Sequence, residues 1–320
     1  MDATIKSCGA YVPRLRIDAS EFEEAWGSFD ARGVEEKRVP DADEDAVTMA
    51  VEAAEDALGS SSYGREDVDA LALGTTTPPL EEGEFGAQVA KIVGFDESVE
   101  IVAHTESARA GVRSLVTAVR SVDEDGVAVA VAADCPIGAP DDAVDHAAGA
   151  GAVAFVVGDE GDVEIEETAS YTQEFPGTRF RERGEKTVEK YGATAYERDA
   201  YTTVVSEAFE AIEVPDAVLA PTAPDADMPY RAARSLGVEA YEAASSLGDT
   251  GAASALFGVL EAWRNGEKNV VVVGYGDGAS ADAVRLVGSL SCDYERAAVS
   301  VTYTEYLRRR GHVVDSGGDA

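Results

Sequence analysis

The feature that most restricts how this chain can fold is a duplication in the order of its apolar and helix-like runs. In the first half, the run from Val68 to Gly74 (VDALALG) ends in TTTPP. GAQVAKIVGF, VEIVAHTESARAG, GVRSLVTAVRSV and GVAVAVAAD then follow. In the second half, PDAVLAPTAP leads to PYRAARSLGV, VEAYEAASSLGDTG, GAASALFGVLEAW and KNVVVVGYGDG. Gly111 to Asp134 and Gly251 to Gly274 are helix-then-strand units of equal length.

Continuous Val/Ala strands alternating with helices predict parallel strands covered on both faces. A further strand closes each half, GAGAVAFVVGD and DAVRLVGSL. The pattern therefore predicts an α/β chain of five layers, αβαβα, in which two doubly wound sheets enclose a helix layer. The middle helices are expected to start near Thr105 and Asp249, because GVRSLVTAV and GAASALFGVL are small or apolar on all sides. Two independent Rossmann-like domains would give a similar pattern. The halves are drawn at residues 1–165 and 166–320, with 166–200 as an inserted basic loop and helix region.

Charge narrows the function classes. The chain of 320 residues carries 62 acidic and 26 basic residues, a net charge of −36 spread along its length. Such a skin suits high salt, where the Debye length falls to about 3 Å at 1 M and self-repulsion is screened; the alternative is a negative face for a basic partner. Nucleic-acid binding needs a positive stripe that this composition does not offer. Against this background Arg179, Arg181, Arg183, Lys186 and Lys190 form a dense positive cluster. It either pairs with neighbouring acids or holds an anion such as a coenzyme phosphate.

Cys8, Cys135 and Cys292 lack paired spacing, so neither a disulfide framework nor a metal site is implied. No signal peptide or membrane-length apolar run is present, and a reducing cytoplasm is the expected setting.

Five segments, in order, carry a family likeness: CGAYVPRLRI, GVEEKRVPDADEDAVTMAVEAAEDAL, DAVDHAAGAGAVAFVVG, GDTGAASALFGVLEAW and YTEYLRRRG. From about residue 4 to 311 the chain resembles the archaeal-type hydroxymethylglutaryl-CoA synthases of the thiolase superfamily. The resemblance implies a thiolase-like fold, a homodimer, acyl-CoA as ligand or substrate, and association with a thiolase or a zinc-ribbon and OB-fold subunit. It also implies a cysteine nucleophile, a histidine and a glutamate, and here the sequence departs from the family. Thr105 stands in HTESARAG where the family has its cysteine, Thr222 in PTAPD where it has its histidine, and Thr76 in GTTTPP where it has its glutamate.

A thiolate can be made nucleophilic at neutral pH, whereas a threonine hydroxyl requires an adjacent base. Of the three histidines, His104 is expected to point away from the pocket, His146 to lie at a surface or interface, and His312 to fall at the terminus. Cys135, Ser107 and the acids Glu81, Glu82 and Glu84 are the substitutes to weigh, and Asp249 either caps the second middle helix or joins the site. For the coenzyme, the resemblance points to Lys37 and Arg38 at the pantetheine entrance and to Arg231 and Arg234 near the phosphates, with Arg181, Arg183 and Lys186 as the basic cluster. Arg308, Arg309 and Arg310 either anchor the tail or dock a subunit. Two functions stay open: an acyl-CoA-binding, non-catalytic or regulatory subunit of a condensing complex, and a diverged acyl-CoA condensing acyltransferase using substitute residues.

Overall fold

The structure, a computed structural model, describes residues 3–122, 126–192, 194–212, 214 and 216–313. The first half holds β1 (Thr4–Tyr11), β2 (Leu15–Asp18), α1 (Ala19–Trp26), β3 (Glu36–Val39), α2 (Ala46–Gly59), β4 (Ala70–Gly74), α3 (Gly86–Val93), β5 (Glu100–His104), α4 (Ala110–Ser121), β6 (Ala128–Asp134), α5 (Ala143–Ala147) and β7 (Gly151–Gly158). The second holds β8 (Val163–Thr172), β9 (Arg179–Phe180), β10 (Glu189–Lys190), α6 (Thr194–Glu210), β11 (Val218–Pro221), α7 (Met228–Leu236), α8 (Ala244–Leu247), α9 (Ser254–Arg264), β12 (Asn269–Gly276), β13 (Ser280–Val287), β14 (Val299–Ser300) and α10 (Tyr303–Arg309).

The duplication read from the sequence reappears as topology. The main sheet has the order β11-β12-β13-β8-β1-β7-β6-β4-β5. Counted outward from the centre, β1-β7-β6-β4-β5 and β8-β13-β12-β11 follow one plan, and a lone parallel bridge from Leu219 to Ala240 stands where the second half would have its outermost strand. Within the main sheet the halves join where β1 pairs with β8, Thr4 with Glu164 and Ile5 with Val163. The two expected sheets are thus hydrogen-bonded into one assembly. The expectation of parallel strands holds for β4, β5 and β6 and for β11 and β12, whereas β7 and β13 run antiparallel to their neighbours.

Side-chain alternation along the strands builds the layers. In β6, Ala128, Ala130 and Ala132 face a core shared with α4 and α9, while Val129, Val131 and Ala133 face α2 and α3. In β12, Val270 and Val272 join the same central core, and Val271 and Val273 face α6 and α7. Three apolar cores between five layers result. Each fully buried valine in them contributes roughly 1.5 to 3 kcal/mol. The small residues of the central helices follow from the geometry, since an added Cβ on Gly111 would lie 1.8 Å from the Ala252 carbonyl oxygen.

The first turns of the central helices are shorter than the sequence suggested. Helix α4 begins at Ala110 rather than near Thr105, which sits in the loop after β5. Helix α9 begins at Ser254, after a 3-10 turn at Gly251–Ala253. Beside the main body, β14, β2 and β3 form a small sheet covered by α1 and α10. Two cysteines distant in sequence, Cys8 and Cys292, lie in the central core, where the Cys8 thiol donates to the Ser291 carbonyl at 3.9 Å.

Candidate functional site

Both sets of parallel strands end at the same place. Beyond the carboxyl ends of β4, β5, β11 and β12, their loops enclose a cavity of about 230 Å³. In open α/β sheets this is where ligands are held. Thr76, Thr105, Thr222 and Asp249, separated by up to 173 positions in the chain (249 − 76), all line it.

Their surroundings differ. Thr222 is buried, and its hydroxyl accepts the Tyr275 N–H at 2.9 Å, while its carbonyl accepts the Tyr201 hydroxyl at 2.6 Å. Thr76 donates its hydroxyl to the Asp134 carboxylate at 2.7 Å and its N–H to the same oxygen at 2.9 Å. Asp134 also takes the Ala252 N–H at 2.9 Å and the Thr77 hydroxyl. Burial pushes the Asp134 carboxyl above the usual range against the pull of these donors. Thr105 is exposed to the cavity.

Asp249 is buried and does two jobs, accepting the Gly251 N–H at 2.9 Å and pairing with Arg179. Asp249 does not cap the second middle helix, whose N-cap is Ala253; its bond to Gly251 fixes the turn ahead of that helix, and the ion pair was not foreseen. Burial works against the Arg179 charge, and the Asp249 carboxylate beside it outweighs that, so the guanidinium is held protonated more firmly than usual.

The basic segment supplies one wall. Strands β9 and β10 form a ribbon in which Arg179 and Lys190 are cross-strand partners, and both line the cavity. The ribbon is tied to both halves. Asp277 accepts the N–H groups of Thr178 and Arg179, the Val188 N–H donates to the Ile137 carbonyl at 2.7 Å, and Arg181 donates to the Thr76 carbonyl at 2.8 Å. Lys190 pairs with Glu197 at 2.7 Å. Arg183 and Lys186 border a separate groove of about 590 Å³, where Arg183 pairs with Glu81 at 2.5 Å. Arg179, Arg183 and Lys190 thus pair with neighbouring acids, and the groove beside Arg183 and Lys186 is lined by Glu81, Glu182 and Glu185 as well.

The remaining residues are dispersed. Arg231 pairs with Asp227 and lines a polar pocket of about 300 Å³ with Arg32 and Arg198; this pocket shares Lys190, Glu197 and Met228 with the cavity. Arg234 is exposed beside Tyr230 and Tyr241, outside both. Arg38 is half-buried and bonds the Pro13 carbonyl. Lys37 is enclosed away from the cavity. Its ammonium donates to the Asp145 carbonyl and the Tyr306 hydroxyl and lies 4.6 Å from the ring centres of Phe22 and Tyr306. Burial pushes its pKa down to about 7.

Among the described lining residues there is no cysteine and no histidine. Cys135 follows β6 and borders the separate groove, with its thiol pushed up by burial. His104 bonds the Thr117 hydroxyl at 2.9 Å on α4. His146 is fully buried, contrary to the surface expectation, and stacks on Phe29 while accepting the Asp30 N–H. His312 is half-buried near Asp145. Arg309 pairs with Asp41, and Arg310 donates to the Pro136 carbonyl, so these two anchor α10. Asp134, Asp277 and Tyr275 were not singled out as site residues, and Arg179 only as a member of the basic cluster. Asp134 and Asp277 each follow a long apolar strand, a position that a doubly wound sheet turns toward its site.

Comparison with known proteins gives one consistent picture. The hydroxymethylglutaryl-CoA synthase of Methanopyrus kandleri is 30% identical over 336 aligned positions, spanning 94% of this chain and 95% of that protein. The enzyme of the same name from Archaeoglobus fulgidus is 29% identical over 87% of each. Among solved structures, an HMG-CoA synthase complexed with CoA superposes with a TM-score of 0.84 at 15% identity, covering 97% of this chain and 90% of that one. The 3-oxoacyl-(acyl carrier protein) synthase III of Pseudomonas aeruginosa gives 0.77 at 18%, covering 90% and 99%. These superpositions identify the fold as thiolase-like. No family model matches the chain.

Proposed function

The chain belongs to the hydroxymethylglutaryl-CoA synthase family, and from that premise we propose that it binds an acyl-coenzyme A without taking its acyl group, as a non-catalytic or regulatory subunit of an acyl-CoA condensing complex. One observation carries the reading. The cavity formed by the two halves has threonine at all three positions where the family resemblance calls for cysteine, histidine and glutamate, and two of those hydroxyls are already engaged, Thr76 with Asp134 and Thr222 with Tyr275. Thr105, the third, has neither a helix N-terminus under it nor a described histidine beside it in the cavity. A hydroxyl so placed does not attack a thioester.

The polar pocket that shares Lys190, Glu197 and Met228 with the cavity supports the ligand class through Arg32, Arg198 and Arg231, which stand there among Asp30, Asp225 and Asp227. Arg181, which reaches from the ribbon to Thr76, is the other cation offered to a phosphate or an acyl oxygen. Strand β5 ends the main sheet and pairs, among the described residues, only with β4. An open edge of this kind is where a second copy would pair, giving the homodimer that the family resemblance implies. A thiolase or a zinc-ribbon and OB-fold protein is the proposed further partner. Among the described residues no helix is long and apolar enough to cross a membrane, and the proposed setting is a salt-rich cytoplasm.

A second reading, a diverged condensing acyltransferase, has one observation in its favour: the Asp134 carboxylate, its proton affinity raised by burial, lies 2.7 Å from the Thr76 hydroxyl and is a base within reach. One experiment separates the two. Protein in molar potassium chloride is mixed with acetyl-CoA and acetoacetyl-CoA, and release of free thiol is followed beside a calorimetric titration with coenzyme A. Heat without thiol release is expected. Thiol release that is abolished by Thr105→Ala or Thr76→Val overturns the non-catalytic reading, and absence of heat overturns the ligand.

A further inference from the structure

One segment of the chain, residues 27–35 between α1 and β3, carries Arg32 into the polar pocket without being helix or strand itself. Two hydrogen bonds hold its middle among the described residues. The Arg32 carbonyl accepts the Ala226 N–H at 3.1 Å, and the Asp30 N–H donates to His146 Nδ1 at 2.9 Å. The Arg32 side chain is exposed and has no hydrogen bond or ion pair among the described residues, so its guanidinium is open to a ligand anion.

The bond from Asp30 demands one form of the ring. Because Nδ1 accepts, the imidazole is neutral with its proton on Nε2, which is buried without a hydrogen-bond partner and stands 3.5 Å from the Asp141 carboxylate. An imidazolium would turn a donor toward the Asp30 N–H, and attraction would become repulsion. Burial keeps the ring neutral by pushing its pKa below the ordinary value; Lys37 on β3 adds to burial, while Asp145 on α5, Asp30 and Asp141 oppose it. The same enclosure holds Asp142, Tyr303, Tyr306, Arg310 and His312. The Tyr306 hydroxyl accepts from Lys37 and donates to Asp145, and Asp142 and Arg310 act on Lys37 and His312. Once the segment moves off and water reaches the ring, the four carboxylates around it favour the proton that burial excludes.

On the reading that the polar pocket receives the coenzyme, we propose that neutral His146 keeps Arg32 at its ligand and that protonation of His146 frees the 27–35 segment, so that the chain gives up its acyl-coenzyme A in acid. The sign follows from the bond. The closed segment requires the unprotonated ring, so a fall in pH below the ordinary histidine value of about 6.5 favours the open one. His146 does not line the pocket; it positions Arg32 through Asp30.

The test is calorimetric titration with coenzyme A in molar potassium chloride at pH 7.5 and 5.5, beside hydrogen exchange of residues 27–35 at the same two pH values, corrected for the intrinsic rate. In the unsubstituted protein, affinity should fall toward pH 5.5 and protection of the Asp30 N–H should be lost with it. His146→Gln offers Asp30 an amide oxygen and has no proton to gain, while the coenzyme's own phosphate, titrating near about pH 6, acts on it as on the unsubstituted protein. Its fall in affinity should therefore be smaller by about tenfold, the effect of one histidine proton one unit below its ordinary value. His146→Leu, which has no acceptor, should bind more weakly than His146→Gln at pH 7.5. Equal falls in the unsubstituted protein and His146→Gln, or protection kept at pH 5.5, overturn the proposal and leave the ligand class standing. No heat with the unsubstituted protein at either pH overturns the ligand class, and the exchange measurement then decides the release by itself. If His146→Leu fails to fold, His146→Gln and the exchange measurement decide.

Discussion

Gly111 and Ala252 meet so closely that a methyl group on the glycine would stand 1.8 Å from the alanine carbonyl oxygen. The contact joins the first turn of α4, in one half of the molecule, to the 3-10 turn that starts α9 in the other. The same turn delivers the Ala252 N–H to Asp134 at 2.9 Å, and Asp134 in turn fixes Thr76. The closeness of the two central helices and the shape of the cavity thus rest on one point.

Gly111→Ala is therefore expected to cost at least about 3 kcal/mol, the upper part of the range for overpacking a close-packed interior. Denaturant unfolding in molar salt measures this. A loss below about 1 kcal/mol would mean that the helices can separate without penalty.

Thr76→Val keeps the shape and removes the hydroxyl. Asp134 retains the N–H groups of Thr76 and Ala252, so the expected loss is about 1 to 3 kcal/mol, that of one hydrogen bond to a buried charged group. A valine variant as stable as the parent would show that the Asp134 network does not need this hydroxyl.

Sequence pattern carried the layers and not the polarity of the strands. A run such as AVAVAAD is buried on both faces, and its alternation therefore says nothing about whether the next strand runs with it or against it. The antiparallel course of β7 and β13 was for that reason not readable. The threonines were legible through the family resemblance, which sets HTESARAG, PTAPD and GTTTPP against the family's cysteine, histidine and glutamate. The burial of Lys37 and His146 was not legible, because a lysine enclosed by Phe22 and Tyr306 and a histidine stacked on Phe29 owe their setting to segments far apart in the chain. Arg179 was legible as a cation and not as the partner of Asp249, since nothing in either segment encodes the pairing of distant loops.

Lys37 gives a pH signature. Its folded pKa of about 7 lies below the ordinary lysine value of 10.5, because burial opposes the charge more than Asp145 and Asp142 favour it, with Arg310 adding to the effect of burial. Between those two values the unfolded chain carries a proton that the folded chain lacks. Stability should rise with pH across that window, by up to about 1.4 kcal/mol per unit, and this dependence should end below pH 7. Lys37→Met should remove the slope and raise stability at neutral pH. Unfolding measured from pH 7 to 10 in both proteins checks this, and parallel curves would mean that Lys37 titrates normally.

Salt provides the last expectation. A net charge of −36 on one folded chain is a self-repulsion that the unfolded chain relieves by expanding, so lowering the salt should favour unfolding. Screening acts through the Debye length, roughly 10 Å at 0.1 M and 3 Å at 1 M, so most of the gain in melting temperature should fall below about 1 M. The buried pair of Arg179 and Asp249 is screened much less than surface pairs such as Arg183 with Glu81, so its contribution to stability should persist at high salt. Melting curves from 0.1 to 3 M potassium chloride test the first statement, and the same curves for Arg179→Met test the second. A melting temperature that does not respond to salt would show that the acidic skin does not govern stability. A cost of Arg179→Met that fades in step with ionic strength would mean that the Arg179–Asp249 pair is screened like a surface pair.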